Sequence, residues 1–231
     1  MTRPSLVRRA FAEGLATFAL VFAGCGAIVV DSERGGSLGA TGIALAFGLV
    51  IMAMIYATGH LSGAHINPAV TLAFCASRHF PAREAIAYVP AQLTGAAAAA
   101  LLLRFLWHGT PADLGATVPT VGSGSALVYE IVMTAFLMFV IMAVATDTRA
   151  IGAAAAIAVG GTVVLDAVFG GGVTGASMNP ARSFGPALAS SQWHDFWIYV
   201  VGPVVGAGIG AVAYGLARGE DSAAPVPHAG T

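Results

Sequence analysis

Two Asn-Pro-Ala boxes, Asn67-Pro68-Ala69 and Asn179-Pro180-Ala181, are the residues of this chain whose types and spacing could do chemistry. In each box Asn stands where a helix N-cap belongs. Pro takes the first helical position, where its missing N–H would be unpaired in any case. The pattern predicts a helix of about 11 residues after each box, to Arg78 and to about Ser190, which at 1.5 Å per residue is half of a ~30 Å hydrocarbon core. A helix N-terminus carries roughly half a positive charge and orphan N–H groups. Two such ends facing one point repel cations and hydronium. The Asn amides add further N–H donors. A water between Asn67 and Asn179 would accept from both, its own hydrogens pointing away, so that a hydrogen-bonded water wire is broken in orientation. Neutral molecules would pass such a point and protons would not. One box alone reads as an ordinary helix cap.

The composition supports a membrane setting for these boxes. Of 231 residues, 57% are apolar and only 9% charged, with 30 glycines. The mean hydropathy is +0.82. A soluble domain of this size cannot hide so much apolar surface, which excludes a soluble globular enzyme, and disorder with it. The net charge is −1 and every basic residue is arginine, so no basic field is present for nucleic acid. Cys25 and Cys75 sit in apolar runs and read as small core residues rather than a disulfide framework. No group of His, Cys, Asp or Glu has metal-ligand spacing and no nucleotide-binding loop is present, so no cofactor or energy input is expected. No Ser–His or His-x-x-x-His pair falls in a span, which argues against an intramembrane enzyme.

The elements that must position the boxes are six apolar spans, near 10–30, 40–60, 84–106, 126–146, 150–170 and 196–217, which in lipid should be helices. The first is long enough to cross and is read as a span rather than a cleaved signal. Loops are expected at 31–39, 107–124 and 147–149, and a polar, disordered tail over 218–231. With the N-terminus inside, Arg3, Arg8, Arg9, Arg78, Arg83, Arg149 and Arg218 fall on the cytoplasmic side and Arg34, Arg104 and Arg182 outside, as the positive-inside bias requires. Both termini are then cytoplasmic.

The chain also repeats itself. Ser62-Gly63-Ala64-His65-Ile66-Asn67-Pro68-Ala69 matches Thr174-Gly175-Ala176-Ser177-Met178-Asn179-Pro180-Ala181. Glu13-x-x-x-Thr17 matches Glu130-x-x-x-Thr134, and Tyr88-Val89 matches Tyr199-Val200. Each half holds three spans and one short segment. An odd number of spans inverts the second half relative to the first, which places a functional site where the halves meet.

With paired Asn-Pro-Ala boxes, the second continuing to Arg182, residues 8–217 resemble the aquaporin (major intrinsic protein) family. The stretch from Gly48 to Phe74 is most similar to its nodulin-26-like branch. The resemblance implies an all-α membrane protein of six transmembrane helices plus two re-entrant half-helices. It implies one channel domain over 1–231, with inverted repeats at about 8–106 and 126–217. It also implies a homotetramer with one pore per subunit, in contact with the lipid bilayer. The expected activity is passive conduction of water and small neutral, glycerol-sized solutes, with protons and ions excluded. A metalloid (arsenous, boric or silicic acid) facilitator and a strictly water-selective pore are the alternatives. The absence of Lys beside ten Arg suggests a bacterial plasma (inner) membrane.

Carried over by distance from the boxes, the family's outer selectivity filter falls on Phe47, Ala167, Ala176 and Arg182. Arg182 is always charged and offers five donors. Its partners are expected to be carbonyls of the preceding loop, because a buried charge is costly. Ala167 departs from the His usual in water-selective members, and two alanines should leave a wider, more apolar opening. A one-residue slip in Gly170-Gly171-Gly172 would put Asp166 there instead. Ser183 and Ala187 stand where glycerol facilitators usually carry an acid and a base, which points the other way. Glu13 and Glu130 are expected to brace the loops before each half-helix. One of His60 and His65 is expected to line the vestibule. Gly95-x-x-x-Ala99 and Gly206-x-x-x-Gly210 are expected to be packing seams between the halves. With Ala176 where mercury-sensitive channels carry Cys, mercury inhibition at the filter should be weak.

Overall fold

A computed structural model of the chain describes residues 4–147 and 154–219. The sequence expectations for Arg3, Arg149 and the tail beyond 219 lie outside those residues. Among them are eight α-helices: α1 Leu6–Glu33, α2 Gly39–Ser62, α3 Pro68–Ala76, α4 Ala82–Leu106, α5 Ser123–Thr146, α6 Ala155–Thr174, α7 Pro180–Ser190 and α8 Ile198–Arg218. All but α3 and α7 are long and apolar enough to cross a membrane.

Three boundaries differ from expectation. Helix α6 begins at Ala155 and runs to Thr174, where Gly175 caps it in the left-handed region. The glycines at 170–172 look like a break in sequence, yet they lie inside the helix. Helix α3 stops at Ala76, two residues before Arg78, which has a φ of 62°. The connection between α4 and α5 is not featureless. It holds a turn at Pro111–Gly115 in which Ala112, Asp113 and Leu114 all have φ near +50°, and Leu114 is fully buried.

Long outward faces of α1, α2, α5, α6 and α8 carry exposed Phe, Leu, Val and Ile, such as Phe11, Leu49, Phe136, Leu165 and Leu216. In water such faces would be a liability; in lipid they are the solvent-compatible surface. The interior is built on small residues. Side chains at Gly95, Gly206 or Gly210 would overlap the backbones of Gly14, Ile131 and Ala135, so these motifs are the α1–α4 and α5–α8 seams. They lie within each half and not between halves, contrary to the sequence expectation. The most extensive contact between halves is α2 against α6, where Gly48 and Gly160 each lie against the other's backbone oxygen. Each half-helix also packs on the last long helix of the other half, α7 on α4 and α3 on α8.

Candidate functional site

The half-helices α3 and α7 start where the boxes predict. Asn67 is extended at φ −153° and its Oδ1 accepts from Ala69 N at 2.9 Å; Asn179 is extended at φ −151° and accepts from Ala181 N at 3.0 Å. Their amide groups then cross the midline. Asn67 Nδ2 donates to Met178 O at 2.7 Å, and Asn179 Nδ2 donates to Ile66 O at 2.9 Å. Each Asn therefore caps its own helix with oxygen and ties the opposite loop with one N–H. One N–H per Asn remains for a passing molecule. This exchange brings the two helix N-termini together.

The loops before the boxes are strained in the same way. Ala64 and Ile66 have φ of 47° and 55°; Ala176 and Met178 have 42° and 53°. A branched residue such as Ile66 rarely accepts this region and needs outside support. The buried acids supply it. Glu13 Oε1 accepts from His65 N at 2.9 Å and Ser62 Oγ at 2.7 Å, while Oε2 accepts from Ile66 N at 2.7 Å and Gln92 Nε2 at 2.9 Å. Glu130 accepts from Ser177 N, Met178 N and Thr174 Oγ1 at 2.7–2.9 Å. Tyr88 and Tyr199 donate to the carbonyls of Ser62 and Thr174, both at 2.7 Å. Glu13 and Glu130 are 0% exposed and border neither cavity, so they brace the loops from behind.

Two cavities flank this centre. A narrow one of about 100 Å³ runs past both Asn side chains, with Leu20, Ile51, Ile141 and Val159 among its apolar walls. A wider one of about 510 Å³ is bordered by Asp31, Ala44, Asp113 and Gly172. Four residues line both: Phe47, Ala167, Ala176 and Arg182. The structure thus brings the four sequence-selected residues to one junction. Ala167 lines both cavities, whereas Asp166 is buried beside it and borders neither. Adjacent helical residues point about 100° apart, which separates the two.

At the junction the Arg182 side chain is buried. Its Nη1 donates to Gly115 O at 2.6 Å, and its Cζ lies 4.8 Å from the Phe47 ring centroid. The acceptor belongs to the α4–α5 connection, not to the loop directly before α7. Sequence reasoning missed Gly115: a carbonyl carries no side-chain signal, and only the left-handed turn at 112–115 aims it. It also missed Thr117, whose hydroxyl donates to Ser183 Oγ at 2.8 Å, and Gln92, which joins Glu13 to Thr71. His65 lines the narrow cavity and packs against Phe74, Phe80 and Tyr88, with Nδ1 3.1 Å from Thr71 Oγ1; His60 is exposed away from it. Cys25 is buried with Sγ 4.0 Å from Gly115 O. No group of three or more potential metal ligands occurs among the described residues.

Comparison with known proteins gives the same picture from outside. The family model of the major intrinsic proteins matches residues 1–214. Aquaporin NIP1-1 of Zea mays is 50% identical over 212 residues, which are 92% of this chain and 75% of that protein. Nodulin-26 of Glycine max is 46% identical over 215 residues, 93% of this chain and 79% of its own length. Among solved structures, the aquaglyceroporin from Plasmodium falciparum superimposes with a TM-score of 0.83 at 28% identity, covering 91% of this chain and 96% of that one.

Proposed function

The chain belongs to the major intrinsic protein family, and from that premise we propose that Phe47, Ala167, Ala176 and Arg182 are the selectivity filter of a channel for water and small uncharged solutes, open to glycerol. The observation that carries this is the junction itself: these four residues, and no others described, border both the narrow passage and the wide vestibule. Two of the four are methyl groups. With His in place of Ala167 the opening would be narrower and more polar; with Ala a three-carbon polyol has room and an apolar wall for its CH groups. Arg182 supplies the donors for its hydroxyls and repels cations.

Proton exclusion is assigned to the Asn67–Asn179 pair together with the fixed charge of Arg182. The remaining N–H of each Asn and the two helix N-termini fix the orientation of a water between them. The chain forms one channel domain of two inverted repeats and carries out no catalysis. The wide vestibule faces outward and both termini face the cytoplasm, in agreement with the arginine distribution. The apolar faces left on α1, α2, α5 and α6 serve lipid and the neighbouring subunits of a homotetramer, and the membrane is a bacterial plasma membrane.

Stopped-flow light scattering on proteoliposomes tests the filter, with one run under an impermeant osmolyte and one under a glycerol gradient. Fast water and fast glycerol entry support the wide filter. Fast water with glycerol entry equal to empty liposomes favours the strictly water-selective reading, which the 4.8 Å approach of Arg182 to Phe47 would then explain. Boric and arsenous acids, uncharged and of similar size, extend the series to metalloids.

A further inference from the structure

Phe47 borders both cavities, and part of its ring is held outside the passage. Its store is a gap in α1. A Cβ placed on Gly24 would overlap Cε1, Cδ1 and Cζ of the Phe47 ring, so one edge of the ring occupies the space that any other residue at 24 would fill. The ring's other surroundings leave little slack. The Arg182 guanidinium lies over it at 4.8 Å from the centroid. Helix α2 cannot retreat from α1, because at the next residue, Gly48, it already touches the backbone of α6 at Gly160. Helix α1 is in turn held by α4, where Gly95 lies against Gly14.

From this packing we propose that Gly24, which touches no passing molecule, is a specificity-determining positioning residue: it sets the bore of the filter by giving the Phe47 ring a recess. The proposal rests on the filter reading above. A methyl at 24 displaces the ring from its recess, toward Arg182 and the junction that it already borders. The opening then narrows although none of the four lining residues has changed. The next residue serves the opposite wall. Cys25 packs on Gly115, whose carbonyl anchors Arg182, so successive residues of α1 hold two sides of one filter.

The test is a cycle of Gly24→Ala, Phe47→Ala and the double variant in proteoliposomes, with water and glycerol entry measured for each. Gly161→Ala is the control, since a side chain there meets open space. Overpacking of this kind should lower glycerol entry by about tenfold and water much less, so the glycerol-to-water ratio falls. In the Phe47→Ala background, Gly24→Ala should leave that ratio unchanged. A ratio unaffected by Gly24→Ala, or lowered equally with and without the ring, overturns the proposal. If the single variant does not fold, recovery of a monodisperse protein in the double variant supports it, and failure of both overturns it. The filter reading fails separately, when Phe47→Ala and Ala167→His both leave the ratio at the wild-type value. If the wild type excludes glycerol, water entry alone reads the same cycle.

Discussion

In the first re-entrant loop Glu13 accepts from the backbone of His65 and Ile66; in the second Glu130 accepts from Ser177 and Met178. Tyr88 and Tyr199 close the loops at the same point, and the positive φ values fall on the same three positions of each. The residues presented to the passage differ. Three places after Asn67 stands Val70, and three after Asn179 stands Arg182. Ile55 lines the narrow cavity at the place equivalent to Ala167. Backbone bracing is needed wherever irregular chain enters a membrane, so it is duplicated. Charge discrimination is needed once along a pore, so the guanidinium is single. The braces also differ slightly: Glu13 has Gln92 as a fourth donor, while the equivalent place in α8 is Pro203, which offers none.

The comparison breaks most severely at the braces. Glu130→Ala leaves the N–H groups of Ser177 and Met178 buried without acceptors, at about 1–3 kcal/mol each, a large part of a domain's marginal stability. Glu13→Ala does the same to His65 and Ile66. Neither variant should give a monodisperse channel by size exclusion in detergent. A well-folded, conducting Glu130→Ala would show that the loop holds itself.

Next in size is Arg182→Val, which gives the second loop the first loop's residue. Fold and water conduction should persist. Glycerol entry should rise by about tenfold and a proton leak should register on a pH-sensitive dye inside the vesicles, because the repelling charge is gone. Unchanged glycerol entry would move the filter elsewhere. The smallest effect is Gln92→Leu, which reduces Glu13 to the three donors that already suffice for Glu130. The expected loss is about 1 kcal/mol, seen as a few degrees in Tm, with both fluxes unaltered. A collapse as complete as that of Glu13→Ala would mean the halves are braced differently.

Much of this was legible in the sequence because it rests on side-chain types at fixed spacing. The boxes gave the half-helices, the internal matches gave the repeat, and distance from the boxes brought Phe47, Ala167, Ala176 and Arg182 to one junction. What was not legible depends on backbone. Gly115 anchors Arg182 through a carbonyl, aimed by a turn in a Gly- and Pro-rich stretch without periodicity. A small-residue stripe shows close packing but not the partner, so the sequence does not reveal that Gly95 and Gly206 pack within their own halves, on Gly14 and Ile131. The glycines at 170–172 could not be told from a break, since helix α6 is continued there by its neighbours rather than by propensity.

The central claim is that two methyl groups keep the junction wide, and Ala167→His in proteoliposomes tests it most directly. Glycerol and water entry are read on the same preparation as for the wild type. The account predicts that glycerol entry falls by about tenfold or more toward the level of empty liposomes while water entry stays within about twofold, as a narrower filter requires. Equal glycerol entry in the two proteins would contradict it, and would place the limiting constriction away from Ala167.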